Sequence, residues 1–233
     1  MTHIYRCELE LHDSLYFATR EIGRLYETEP IIHNYALCYA LGLVDSNRYG
    51  TKVSEAYEYR YFCPEQIPMY EEHLIKLNEV GIYVTPAQSL QHASVLHTWK
   101  YANNNYHVEM GKMQKNIPTF GRAKEIAPES VFEFFIFSCN PLPQLPKWIR
   151  LGKWMSKAEL TVKKLDQPRQ GKGTFICPCP LNPLDVMFTH QVLSYDTISM
   201  LPVSLIRNVR LNGDFYEVND LIIPARMSYR FKI

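Results

Sequence analysis

The chain has 233 residues, 46% of them hydrophobic and 13% aromatic, enough apolar surface for a real core in one large domain or a core domain with a sizeable extension. No run approaches the roughly 20 apolar residues that a bilayer span needs, and the opening MTHIYRCELE has no apolar signal core, so the expectation is a cytoplasmic protein without a membrane partner. The net charge of +1 looks unsuited to a polyanion, yet residues 1–98 hold 7 Lys+Arg against 13 Asp+Glu, residues 99–124 hold 5 against 1, and residues 147–173 hold 8 against 2. A chain divided in this way has a basic zone able to follow phosphates and an acidic zone that repels them and is free to meet protein partners.

Taken in order, IYRCELEL alternates, with Tyr5, Cys7, Leu9 and Leu11 on one face and Arg6, Glu8 and Glu10 on the other, which predicts a strand with one wet face. A helix is predicted from Pro30 to about Leu43, capped by Thr28 or Glu29, with Ile31, Tyr35, Tyr39 and Leu43 recurring every four residues. YEYRYF reads as a strand, and YEEHLIKLNEVG as an amphipathic helix with Leu74, Leu77 and Val80 inward and Gly81 ending it. ESVFEFFIFS is predicted to be a buried strand, and SKAELTVKKL another, with Ala158, Leu160 and Val162 inside. IRNVRLNGDFYEV is predicted to be a hairpin turning at Asn212-Gly213, and ARMSYRF a closing strand. Residues 101–130 read as a long irregular insertion, and residues 166–184, rich in Pro and Gly, as a loop leading to a C-terminal β unit. Strand, helix, strand, helix and then β hairpins suit an α+β chain with a ferredoxin-like (RRM-like) core. The core and its insertion occupy residues 1–165, and a β-rich C-terminal subdomain packed on the core occupies residues 166–233.

The chemistry to be found is sparse. None of the phosphate-cradling, dinucleotide-binding or serine-nucleophile motifs is present, and GKGTF at 171–175 is too short to be specific. The six cysteines are scattered and read as reduced, mostly buried thiols; Cys177 and Cys179 have no second pair at zinc-ligand spacing, so no metal or cofactor is expected. His33, near Arg24 and Tyr26, is the one residue on which a metal-independent ribonuclease could be built, as general base toward a 2′-hydroxyl; a capping or packing histidine is the simpler role. Binding of single-stranded RNA has more behind it, because basic side chains hold phosphates while aromatic or guanidinium planes hold splayed bases. Arg150, Lys153 and Lys157 surround Trp154 with Trp148 just ahead, and Lys112, Lys115, Arg122 and Lys124 surround Phe120. The reading requires these basic segments to converge in one groove.

Three stretches, FATREIGRLYETEPIIHNYALCYALGL, WIRLGKWMSKAEL and LIIPARMSYRF, together resemble the RAMP-type Cascade subunit of type I-D CRISPR systems that caps the 5′ end of the guide RNA, and the likeness runs from Tyr5 to Phe231. The resemblance implies the ferredoxin-like core with an inserted β-hairpin thumb, placed here at 101–130. It also implies a non-catalytic subunit that grips the 5′ handle of the crRNA and abuts the repeating backbone subunit and the large subunit. That position is close to where the protospacer-adjacent motif of double-stranded target DNA is read, which makes target DNA a further candidate partner. The glycine-rich loop near the C-terminus of many RAMP proteins is not recognisable, so contacts made through it do not carry over. In this reading the helix is scaffold and the preceding loop projects Arg20, Arg24 and Tyr26 toward the handle or a neighbouring subunit, with Glu21, Glu27 and Glu29 as competing intramolecular partners. Processing of precursor crRNA through His33 is the alternative function.

Overall fold

A computed structural model describes residues 2–44, 69–101, 119–142, 144–166, 168–219 and 221–231. The elements begin with β1 (His3–Leu11), β2 (Arg20–Ile22), β3 (Leu25–Glu27), β4 (Ile31–Ile32), α1 (Asn34–Ala40), α2 (Tyr70–Glu79), β5 (Ile82–Val84), β6 (Ala87–Gln91) and β7 (Ser94–Tyr101). They continue with β8 (Thr119–Ile126), β9 (Val131–Ser138), β10 (Trp148–Leu151), β11 (Ser156–Leu165), β12 (Arg169–Cys177), α3 (Pro183–Val186), β13 (Gln191–Ile198), β14 (Leu205–Val218) and β15 (Leu221–Pro224). The chain is thus α+β and rich in strands, and none of its described helices is long and apolar enough to cross a membrane.

The core sheet follows the hydrophobic pattern of its strands. Its order is β10-β11-β1-β9-β6-β4, with β5 sharing the same edge of β9 as β6, and every pairing is antiparallel. Cys7 pairs with Phe134 on one side and Val162 on the other, and Leu9 with Phe132 and Leu160, so β1 carries a buried stripe through the middle of the sheet. β9 is buried along its whole length after Val131, as the apolar run at 134–137 requires of a strand covered on both faces, and Glu133 ahead of that run is paired with Arg6. Both described helices longer than one turn lie in the crossover from β1 to β5, and α1 packs against both β10 and β5. Between β9 and β11 the described backbone holds β10 and no helix.

The C-terminal sheet has the order β12-β14-β13, with β15 also on β14, and it joins the core through one large buried cluster and a small second one in which Ile31 of β4 meets Ile198, Met200 and Leu205. The last residues return to the core. Tyr229 is 1% exposed; its hydroxyl accepts from the Val84 amide at 2.9 Å and lies 3.0 Å from the Cys38 thiol, while its backbone amide and carbonyl meet the Asn78 side chain. Asp185, on α3, accepts from Asn34 and the Tyr83 hydroxyl at 3.0 and 2.9 Å, and burial pushes its carboxyl up to about 7.

Several expectations are corrected. The helix near residue 30 begins at Asn34, because Ile31 and Ile32 pair with Gln88 and Ala87 as a short strand and His33, not Thr28 or Glu29, accepts the capping bond. Thr28 instead accepts from the Phe17 amide. Val80 is the exposed C-cap of α2, 52% accessible, and Val162 is 39% accessible, although Leu74, Leu77, Ala158 and Leu160 are buried as expected. Asn212-Gly213 is not a turn: β14 runs straight through it, pairing Gly213 with Gly173 and Asn212 with Gln191. The glycine is there for close approach, since a Cβ on it would collide with the His190 ring. Residues 169–177 form strand β12 rather than loop, with Phe215 lying over Gly171, and ARMSYRF is irregular and contains the buried Tyr229. YEYRYF lies outside the described residues.

Candidate nucleic-acid interface

The residues expected to meet RNA are concentrated on a third sheet, of order β2-β3-β8-β7. β2 and β3 form a hairpin around Gly23, which has φ +62° and so supplies the left-handed turn. β7 and β8 flank the insertion, and β3 joins β8 in parallel, setting Leu25 beside Arg122 and Glu27 beside Lys124. Residues 119–126, expected to be irregular, are therefore strand. Lys112 and Lys115 lie outside the described residues.

Register assigns every side chain of this sheet to one of two faces. Arg20, Ile22, Leu25 and Glu27 share a face with Phe120, Arg122 and Lys124 and with Leu96 and Thr98. Arg24 joins them, its guanidinium 4.8 Å from the Phe120 ring centroid. Within this cationic face Glu27 is the counter-ion: Arg20 lies 2.5 Å and Lys124 2.8 Å from its carboxylate, and Arg20 also meets Glu29 at 2.8 Å. The hydrogen bond from Lys124, with Arg20 beside it, holds the Glu27 carboxyl below its ordinary range. Arg20 and Lys124 are thus engaged, as the acids in the sequence foreshadowed. Among the described residues, Arg24 and Arg122 have no acidic partner, both are exposed, and between them stands Phe120, 47% accessible.

The opposite face is aromatic. Trp99 lies over Gly121, where a Cβ would stand 2.8 Å from the indole, and its ring is within 18° of parallel to Tyr26 at 6.3 Å between centroids. Tyr26 therefore points away from Arg20 and Arg24, and Glu21 beside it raises its phenol. Glu125 is 2% exposed here, burial raises its carboxyl, and His97 is 3.6 Å away.

The second basic segment joins this aromatic face. Leu15 exchanges backbone bonds with Ile126 at 2.8 and 3.0 Å, and the Tyr16 carbonyl accepts from the Lys153 amide at 2.8 Å in the turn between β10 and β11. Gly152 is required in that turn, at φ +74° and with the Tyr16 carbonyl 2.7 Å from where a Cβ would stand. Trp154, 52% exposed, stacks on Tyr16 at 4.6 Å, and Lys153 Nζ lies 6.0 Å from the Tyr16 ring. Arg150 is taken up locally, donating to the Met155 carbonyl at 3.1 Å, with Asp13 3.8 Å away. Lys157 sits 3.9 Å over the Trp148 ring on the outer face of the core sheet. The expected cations that are described therefore lie in three places rather than one groove: Arg20, Arg24, Arg122 and Lys124 on the cationic face, Lys153 beside the aromatic one, and Arg150 and Lys157 paired across β10 and β11 on the core sheet.

His33 is 4% exposed, and its two ring nitrogens are engaged with backbone: Nδ1 accepts from the Tyr35 amide at 3.2 Å, which leaves Nε2 to donate to the Val203 carbonyl at 3.2 Å. Burial pushes its pKa down to about 4, so at neutral pH it is an uncharged cap. Trp99 and Tyr16 are functional candidates that sequence reasoning misses; the β-branched and aromatic run SVLHTWKY is the available signal for the strand that carries Trp99.

Among curated proteins no sequence matches the chain. Of solved structures, a chain of the type III-B Cmr-β complex bound to cognate target RNA and AMPPnP is similar with a TM-score of 0.45 and 10% identity, over 89% of this chain and 86% of that one. A chain of the Cmr-β complex bound to cognate target RNA is similar with a TM-score of 0.41 and 14% identity, over 70% of this chain and 60% of that one. The model of the type I-D CRISPR-associated protein Cas5/Csc1 family matches residues 2–232, and the chain belongs to that family.

Proposed function

We propose that this protein is a non-catalytic, guide-RNA-binding subunit of a type I-D CRISPR effector complex, acting in the cytoplasm. It grips the 5′ handle of the crRNA and anchors the repeating backbone subunit and the large subunit near the site where target DNA is read. The thumb of the RAMP-type architecture is, in this reading, the sheet of β2, β3, β7 and β8, mounted on a ferredoxin-like core. The observation that carries the proposal is the convergence of Arg24, Phe120 and Arg122 from segments about 100 residues apart onto one open face, with the two arginines free of acidic partners among the described residues. Arginine beside an exposed ring suits a strand whose phosphates take bidentate contacts and whose bases are splayed. A buried, neutral His33 committed to the fold supports a binding role over ribonuclease chemistry.

The test is binding of crRNA at several salt concentrations by the unaltered protein and by Arg24→Ala and Arg122→Ala. Removing one arginine–phosphate interaction should lower the slope of log K against log salt by about 0.7. In the assembled complex the guide RNA should crosslink to residues 20–27 or 119–126, and precursor repeat RNA incubated with the protein in EDTA should stay intact. Unchanged slopes together with no crosslink to either segment would remove the cationic face from the account.

A further inference from the structure

The aromatic face is left unexplained by phosphate binding. It carries the acids Glu21 and Glu125 and, among its described residues, only Lys153 as a cation nearby, so it is poorly suited to a phosphate backbone. Yet it holds two large exposed rings, Trp99 at 41% and Trp154 at 52%, each backed by a tyrosine, Tyr26 and Tyr16 respectively. The two pairs are neighbours: Tyr16 follows Leu15, which is bonded to Ile126 at the end of the strand that carries Gly121 under Trp99. The backbone bonds from Leu15 to β8 and from Tyr16 to the β10–β11 turn hold them in fixed relation. Trp99 can lie flat across the sheet only because position 121 is glycine.

Trp99 covers Gly121 and Trp154 packs on the buried Tyr16, yet about half of each indole residue is left in water, more than the packing of the sheet needs. Every base has a π face, and stacking on aromatic side chains is tolerant of sequence and independent of charge. We propose that Trp99 and Trp154, each supported by its tyrosine, form a base-stacking platform for unpaired nucleotides of single-stranded RNA, separate from the cationic face across the same sheet. Because the two surfaces lie on opposite faces of the sheet, the nucleotides whose bases rest on the indoles are not those whose phosphates meet Arg24 and Arg122. The inference rests on the chain binding RNA, and its test separates the two readings.

Full-length protein in a Trp148→Phe background, which leaves Trp99 and Trp154 as the emitting tryptophans, is titrated with an unstructured oligouridine and, separately, with inorganic polyphosphate. Oligouridine should quench the tryptophan emission and polyphosphate should not. Trp99→Ala and Trp154→Ala should each weaken oligouridine binding about tenfold with the salt slope unchanged, and Trp99→Phe, which keeps a ring over Gly121, should restore most of the affinity. Circular dichroism identifies a variant that fails to fold, and in that case Trp99→Phe and the quenching of Trp154 still decide. Losses below twofold in both alanine variants, or equal quenching by polyphosphate, overturn the platform. If Arg122→Ala weakens binding while both tryptophan variants do not, the cationic face stands and the platform falls. No binding by the unaltered chain overturns both readings. Retained RNA affinity with loss of association to the other complex subunits assigns this face to a protein and also overturns the platform.

Discussion

The core sheet and the sheet of β2, β3, β7 and β8 are built from strands of similar length but by different rules. In the core sheet, Cys7, Leu9 and Leu11 are buried while Arg6, Glu8 and Glu10 face outward, and β9 is buried throughout. In the other sheet burial is only partial: Ile22, Leu96 and Phe120 are about half accessible on one side and Trp99 on the other, while Ala123, Glu125 and Ile126 of β8 are buried. The first sheet is held by what it excludes from water. The second is held by edge hydrogen bonds, an ion-pair cluster around Glu27 and the lacing through Leu15, and its surface is left for a partner.

The sharpest break between them should come from Phe134→Ala in β9. This fully buried ring is in the middle of the core, and its removal should cost about 3–5 kcal/mol, read as a fall in the denaturant midpoint. A second measurement uses pH. His33 is protonated more readily in the unfolded chain than in the fold, where its pKa is about 4, so the protein loses stability as pH falls from about 6.5 toward 4. Asp185, held near 7, has the opposite sign: its fold binds the proton more readily, so stability is lost as pH rises from about 4 through 7. His33→Asn keeps a capping side chain and removes the first effect. Its stability relative to the unaltered protein should therefore improve by on the order of 3 kcal/mol between pH 7 and pH 4, as measured by urea unfolding. Next in size, Tyr229→Phe leaves the buried Val84 amide without its acceptor and should cost about 1–3 kcal/mol. At the small end, Arg122→Ala should change stability by no more than about 0.5 kcal/mol while weakening RNA binding in low salt. A large stability loss there would mean that the open sheet is structural after all.

The same contrast explains what is legible in the chain alone. β1 and β11 can be read there because one buried face writes a polar–apolar alternation into the residues, α2 because its apolar residues recur at helical spacing, and β9 because burial of both faces leaves a nearly continuous apolar run. TFGRAKEI alternates too, with Phe120, Arg122 and Lys124 against the buried Gly121, Ala123 and Glu125, but the buried set is a glycine, an alanine and an acid rather than large apolar residues, and the segment reads as loop. β12 and β14 mislead for a different reason: Gly171, Gly173 and Gly213 look like turn residues, whereas Gly171 and Gly213 leave room for the rings of Phe215 and His190 against a strand. The expected RNA-binding residues fare in between. Arg20, Arg24, Arg122 and Lys124 do meet on one face, yet Tyr26 points to the other, because side-chain direction in a strand reverses at each step and its neighbours Leu25 and Glu27 take the cationic face, an alternation hidden when the segment reads as a loop.

The parallel seam between β3 and β8 unites positions 97 apart in the chain, and everything from α1 to β7 lies between them. Closing so long a loop costs more entropy than forming either flanking hairpin. The surface that would hold the guide is therefore completed only after the intervening scaffold has folded, and it can open locally while that scaffold stays intact. A grip assembled last is also one that can release first, so an incompletely folded chain has no finished handhold to offer an RNA.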